Sequence, residues 1–129
     1  MKAVLLSIKP EFAEKIFAGT KKFEFRKIIF KHRNINKIIV YASSPIKKVI
    51  GEFIIDDIII EDIDTLWNTT YEYSGITKEV YQKYFKNREK AYAIKIGKTI
   101  RYEKSRNLNE YNIKTAPQSF VYVGDISST

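Results

Sequence analysis

The stretch "PEFAEKIFAGTKKFEFRK", residues 10–27, decides the fold because its apolar residues change period halfway along. Between residues 12 and 17 they recur at helical spacing, which predicts a helix that begins at Pro10 and ends at Gly19. From Lys22 onward apolar and charged residues alternate, so Phe23 and Phe25 are predicted to face the core of a strand. The sequence therefore predicts a helix, a tight corner and a strand.

Three charged side chains stand at this corner. Lys21 lies at the corner itself, and Glu24 and Arg26 share one strand face, about 7 Å apart along the strand. They are predicted to point into a common cleft and to serve one ligand. The alternative is a surface ion pair between Glu24 and Arg26, worth under about 1 kcal/mol. Spacing alone favours the ion pair.

The remaining pattern predicts one α+β domain over residues 1–129, built on a strongly bent sheet. Strands are expected over residues 3–8, 37–43, 47–62, 90–97 and 118–123, with Gly51 at a bulge. A helix follows the first strand, and two short helices, over residues 64–70 and 77–87, precede the late strands, the second capped by Thr77. A small barrel is the expected way to remove the edges of such a sheet.

Composition limits the class of protein. Hydrophobic residues make up 44% of the 129 residues, charged residues 29%, and cysteine is absent. Disulfides and thiolate metal sites are therefore excluded. The apolar run at the N-terminus is too short for a secretory signal, and no stretch approaches a membrane span. We expect a cytoplasmic protein with no cofactor and no membrane partner.

Charge is distributed in blocks. Residues 1–50 carry +9, residues 51–80 carry −7 and residues 81–129 carry +6. If the two basic blocks meet in the fold, they form a cationic surface suited to a polyanion. The alternatives are a lysine-rich surface that serves solubility only, and a protein-interaction module with such a surface.

The corner also carries a resemblance. Gly19, Lys21, Glu24 and Arg26 fit the pattern Gly-x-Lys-x-x-Glu-x-Arg, which follows the first helix in ASCH domains of the PUA-like superfamily. Later segments, "YASSPIKKVIGEF" (41–53), "AYAIKIGK" (91–98) and "APQSFVYV" (116–123), resemble a bacterial, archaeal and phage branch often labelled predicted transcriptional regulators. Some members of that branch carry a helix-turn-helix module, which we do not expect here because six residues follow Val123.

The resemblance implies a PUA-like mixed β-barrel whose cleft binds RNA or a modified nucleoside. RNA binding needs cations for phosphates and aromatic faces for bases. The predicted ligand-binding residues are Lys9, Lys21, Glu24, Arg26, Ser43, Ser44 and Lys47, with Lys48 a further candidate cation. The candidate stacking residues are Tyr41, Trp67, Tyr71 and Tyr73. For each aromatic residue core packing is the alternative, and the two serines are equally suited to a turn.

A hydrolase that uses the same cleft is the second hypothesis. The chain resembles small ASCH-type amidohydrolases of N4-acetylcytidine, in which a lysine, a threonine and a glutamate act. Lys21 matches the lysine, Glu24 stands in place of the threonine, and Glu72 is the nearest candidate for the acidic residue. A ribonuclease in which Lys21 and Arg26 stabilise a cleaved phosphodiester is the other enzymatic alternative.

No metal site is predicted. The acidic run from Asp56 to Asp64 offers oxygen ligands of the kind that Mg²⁺ prefers. Such a run is more often a solvated strand face and the cap of the following helix. His32 is the only histidine and is expected at the surface.

Overall fold

The computed structural model describes residues 3–32 and 34–124. Its elements, in chain order, are β1 (Ala3–Ile8), α1 (Pro10–Ala18), β2 (Phe23–Arg26), β3 (Lys37–Ala42), β4 (Lys48–Asp62), α2 (Ile63–Thr70), α3 (Lys78–Tyr84), β5 (Lys90–Arg106) and β6 (Phe120–Val123). Two 3-10 turns, Tyr71–Tyr73 and Leu108–Tyr111, were not predicted. No helix among the described residues is long and apolar enough to cross a membrane.

The corner predicted at residues 19–22 is confirmed. Pro10 occupies the first turn of α1, and Gly19 ends it in a left-handed conformation with φ of 84°. A residue with a side chain is strained at this φ, so glycine is the natural terminator. The chain then turns back, and β2 begins at Phe23.

The six strands form one mixed sheet in the order β2-β5-β4-β3-β1-β6. β1 pairs with β3 in parallel, and the remaining pairs are antiparallel. The predicted α+β class is confirmed, but closure into a barrel is not, because β2 and β6 are the two edges of this sheet. In place of a backbone ladder, hydrogen bonds that use side chains connect the two edges: Nη2 of Arg26 at the end of β2 donates to Oγ of Ser119, just before β6, at 2.6 Å, and the backbone N–H of Lys31, after β2, donates to the hydroxyl of Tyr122 in β6 at 2.9 Å.

The predicted bend at Gly51 is also confirmed. The register between β4 and β5 shifts between Val49 and Gly51. A Cβ atom at Gly51 would lie 2.4 Å from the ring of Phe17 on α1 and 2.6 Å from the carbonyl oxygen of Ile100. Glycine here therefore allows α1 to pack directly against β4 and β5.

Strand β5 is longer than predicted. It runs to Arg106, nine residues past the expected end at residue 97. Its second half pairs with the start of β4, with Gly51 opposite Arg101. That half is rich in exposed charged residues, and the pairing with β4 that makes it a strand is not visible in its own sequence.

Apolar residues form three clusters around the sheet. The largest joins β1, α1, β3 and β4; a second lies under the 3-10 turn at Leu108–Tyr111. The third lies between β2 and the helices α2 and α3, and includes Phe25, Leu66, Tyr81 and Phe85. Phe25 is buried as predicted, whereas Phe23 is only partly buried. This third cluster holds β2 against α3 and so fixes one wall of the cavity described below.

Replacing Gly51 by alanine is expected to destabilise the fold by about 1–3 kcal/mol, because the new methyl group overlaps the Phe17 ring and a backbone oxygen. Gly124→Ala is the matched control, since a Cβ there meets nothing within 4 Å. It is expected to change the free energy of unfolding by less than about 0.5 kcal/mol. Urea unfolding measures both values, and equal stability of the two variants would contradict the close approach at Gly51.

Candidate functional site

A cavity of about 790 Å³ opens between the end of β1, α1, β2, the loop after β3, α3 and the segment before β6. Its walls come from elements far apart in sequence. All seven residues predicted to bind a ligand line it: Lys9, Lys21, Glu24, Arg26, Ser43, Ser44 and Lys47. The structure thus brings the predicted residues together, and their roles in binding stay predictions.

Lys21 is the most deeply buried polar residue of the cavity, with 2% of its surface exposed. Its aliphatic stem lies on Gly75, where an added Cβ would come within 2.6 Å of the Lys21 Cβ. Its Nζ donates a hydrogen bond to the carbonyl oxygen of Ser74 at 2.6 Å. The rings of Phe12 and Phe25 have their centroids 5.4 and 5.1 Å from Nζ. The ammonium group is therefore held in one place by packing, a hydrogen bond and two aromatic rings.

Burial lowers the pKa of Lys21, and the positive charge of Lys15 adds to this, whereas attraction to Glu24 opposes it. Desolvation disfavours the charged form of a lysine, so the proton is held less tightly than on an exposed one. Lys21 is thus the described group of the cavity best suited to proton transfer.

Glu24 and Arg26 form an ion pair, but a buried one. Nη1 of Arg26 lies 3.3 Å from Oε2 of Glu24, and both residues are less than a tenth exposed. Nη2 of Arg26 donates to Ser119, so two of its nitrogens are engaged. The predicted cleft and the predicted ion pair are therefore both present, and Arg26 connects the two sheet edges beside the cavity.

The second oxygen of Glu24 remains open to the cavity. Among residues 3–32 and 34–124, this carboxylate accepts its hydrogen bond, from Arg26, through Oε2. No buried side-chain oxygen or nitrogen in that part of the chain lacks a partner. Oε1 is therefore accessible to a molecule in the cavity.

Tyr84 of α3 contributes a second polar group to the wall. The Lys27 backbone N–H donates to its hydroxyl oxygen at 3.2 Å, and the Lys27 ammonium lies 4.8 Å from its ring centroid. Burial raises the pKa of Tyr84, opposed by the positive charge of Arg26. Its hydroxyl thus keeps its proton and can donate it to a ligand.

The loop after β3 forms a turn and also lines the cavity. Ser43 donates its backbone N–H to the Ile8 carbonyl oxygen at 2.9 Å and accepts from Ile46 N–H at 3.1 Å. Lys47 follows with φ of 54° and an exposed side chain. Both predicted roles for the serines, turn formers and cavity residues, are compatible with this geometry.

Several candidates lie elsewhere. Glu72 is exposed on the 3-10 turn after α2 and is not among the residues that line the cavity, so the geometry gives no support to its predicted role beside Lys21 and Glu24, which stays a prediction. Lys48 donates instead to Asn107. Three of the aromatic candidates, Trp67, Tyr71 and Tyr73, lie outside the cavity, whereas Tyr41 lines it.

The acidic run from Asp56 to Asp64 contributes an ion pair and a helix cap to the fold. Oδ2 of Asp56 lies 3.4 Å from the Lys95 ammonium, and Oδ1 of Asp62 accepts from Thr65 N–H at 2.8 Å to cap α2. Across the described residues no three carboxylates or histidines come close enough to hold a metal ion.

Sequence reasoning missed one wall completely. Val80, Lys83 and Tyr84 of α3 line the cavity together, and their i, i+3, i+4 spacing on one helix face was the available signal. Ala116, Pro117 and Gln118 also line it. Their approach depends on the pairing of β6 with β1, for which the local sequence carries no signal.

The comparisons with known proteins agree on a family. Residues 6–100 match the ASCH domain. The ASCH domain-containing ribonuclease of Zymomonas mobilis is 36% identical over 92 residues, which cover 71% of this chain and 62% of that protein. The large ribosomal subunit protein uL22 of Ureaplasma parvum serovar 3 is 32% identical over 123 residues, covering 93% of this chain. The chain spans only 39% of the length of that ribosomal protein.

The solved structures give the same result. The crystal structure of ASCH from Zymomonas mobilis superposes with a TM-score of 0.85 at 30% identity, covering 94% of this chain and 87% of that one. The N-terminal domain of Staphylothermus marinus McrB, at 14% identity and a TM-score of 0.52, shares the fold alone. Since the family match spans most of the sequence and includes the corner at residues 19–26, this chain belongs to the ASCH domain family.

Proposed function

We propose that this ASCH domain binds RNA and takes a nucleotide, ordinary or modified, into its cavity. The observation that carries the proposal is the composition of the lining: an apolar and aromatic wall, a buried group of Lys21, Glu24 and Arg26, and exposed lysines beside them. A nucleotide base needs an aromatic or apolar face to stack on and polar groups for its edge, whereas a phosphate backbone needs exposed cations. The ribonuclease name of the Zymomonas relative supports an RNA ligand.

The cations divide into two kinds. Lys9, Lys47 and Lys83 line the cavity with exposed side chains, so they are free to meet phosphates. Lys21 and Arg26 are buried and already hydrogen-bonded. We assign phosphate contacts to the exposed group and ligand orientation to the buried group. A regulatory role would act through this RNA binding and would need no residue of the cavity beyond those named.

RNA cleavage is the second candidate. It is favoured by the name of the 36% identical relative and by the lowered pKa of Lys21 beside Glu24. In such a reaction the ribose 2′-oxygen bonds to phosphorus as the bond from phosphorus to the 5′-oxygen breaks, which gives a 2′,3′-cyclic phosphate. Neutral Lys21 would accept the 2′-hydroxyl proton, and water would protonate the departing 5′-oxygen. An N4-acetylcytidine amidohydrolase has less support, because Glu24 replaces the threonine nucleophile and Glu72 lies outside the cavity.

Lys47→Ala is expected to weaken binding of a single-stranded RNA and to make the slope of log Kd against log salt shallower by about 0.7, the loss of one phosphate contact. Lys104→Ala is the matched control, since Lys104 is exposed on the far half of β5. It is expected to leave the slope unchanged. Fluorescence anisotropy across a salt titration measures both. RNA binding that is absent, or equally reduced by the two changes, would support a surface that serves solubility or protein partners.

Lys21→Met separates binding from cleavage, because methionine keeps most of the stem that packs on Gly75 and removes the ammonium group. If Lys21 acts as a base, cleavage of labelled RNA in EDTA rises with pH as the neutral form accumulates, starting below the range of an ordinary lysine, and the variant loses it. Lys22→Met is the control, since Lys22 is exposed beside Tyr73. Release of fragments that is absent, or equal in wild type and Lys21→Met, removes the cleavage candidate and leaves binding.

A further inference from the structure

Building on the proposed RNA binding, we infer that the cavity selects guanine, whose Watson–Crick edge offers two adjacent N–H donors to Glu24 and a carbonyl oxygen to Lys21. The inference concerns the buried polar pair at the cavity wall. It does not depend on whether the bound RNA is then cleaved.

Glu24 provides the acceptor side of the site. An ionised carboxylate accepts hydrogen bonds and donates none. Arg26 Nη1 lies 3.3 Å from Oε2, which restricts the orientation of the carboxylate. Glu24 lines the cavity, and its Oε1 is not among the buried atoms of the described residues that lack a partner, so this oxygen is accessible. Because an oxygen can accept from more than one donor, both oxygens remain available to two parallel N–H groups.

Lys21 provides the donor side. An ammonium group has three donors, and one of them is used by the Ser74 carbonyl oxygen at 2.6 Å. Both residues line the same cavity, and the Lys21 ammonium lies 5.1 Å from the ring centroid of Phe25, which follows Glu24 on β2. The cavity thus presents a donor beside a pair of acceptors on one buried surface.

Guanine is the base that complements this pattern. Its edge carries the O6 acceptor beside the N1–H and N2–H donors. Adenine and cytosine each offer one exocyclic amine beside a ring-nitrogen acceptor, and uracil offers one N–H between two carbonyl oxygens. With adenine, cytosine or uracil in the same position, a carbonyl or ring-nitrogen lone pair would face the carboxylate of Glu24. Two buried acceptors that face each other lose their hydrogen bonds, which lowers the binding affinity. Only guanine among the four gives the carboxylate two donors.

The surrounding surface suits a flat purine. The rings of Phe12 and Phe25 flank the Lys21 ammonium within 5.4 Å, so apolar faces lie next to the polar pair. The volume of about 790 Å³ lies within the range of roughly 300–1,000 Å³ found for small-molecule sites.

The test uses three five-nucleotide RNAs of uridine whose central base is guanine, hypoxanthine or uracil. Hypoxanthine is guanine without the N2 amine, so the first two differ by one donor to Glu24. We expect the guanine RNA to bind about ten-fold more tightly than the hypoxanthine RNA, as for a hydrogen bond to a charged group. In Glu24→Gln this ratio is expected to fall towards one, and in Lys104→Ala to stay as in wild type.

Because the wild-type comparison needs no variant, a failure of Glu24→Gln to fold does not affect the test. Equal, salt-dependent affinity of the wild-type protein for all three RNAs would overturn guanine selection and leave RNA binding standing. Absence of binding to all three would overturn the proposed function and this inference with it. Tight binding of the guanine and hypoxanthine RNAs alike, with uracil weaker, would overturn the role of Glu24 as acceptor from the N2 amine.

Discussion

The hydrogen bond from Arg26 to Ser119 is the contact on which the shape of the cavity depends. Backbone pairing leaves β2 and β6 as separate edges of one sheet, and this bond of 2.6 Å connects the end of β2 to the residue before β6. Because Arg26 is buried and also paired with Glu24, loss of a partner would leave an uncompensated charge, at a cost of about 3–5 kcal/mol. One guanidinium thus connects the two edges, holds the carboxylate of Glu24 and forms part of the cavity wall.

Lys21 is positioned by a different kind of constraint. Gly75 has φ of 70°, and its missing side chain is what lets the Lys21 stem lie against the backbone. The same segment accepts hydrogen bonds from Lys15, Lys21 and Lys22, through the carbonyl oxygens of residues 73–75. The segment after α2 therefore acts as the support for the corner at residues 19–22. A change in this segment would move the ammonium group without touching any residue of the cavity.

Local sequence predicted what is locally determined. The helix, its glycine terminator and the Thr77 cap depend on residues close in sequence, and all three are confirmed. Of the two phenylalanines predicted to face the core from β2, Phe25 is buried and Phe23 is only partly buried. Features that depend on distant pairing were missed: the second half of β5, the wall from α3 and the approach of residues 116–118. Barrel closure was predicted from the need to remove edges, whereas the chain connects them through hydrogen bonds of the Arg26 and Tyr122 side chains. The predicted site residues converge because the corner places three of them, whereas Glu72, the nearest candidate for the acidic residue of the amidohydrolase resemblance, is not among the lining residues.

The most direct test of the account is an NMR titration of the protein with a short single-stranded RNA, because it locates the ligand without presupposing any residue. The account predicts that the largest changes in backbone amide shifts fall in residues 21–26, 41–47 and 117–119, which surround the cavity. Large changes confined to the basic second half of β5, with these three ranges unaffected, would contradict it.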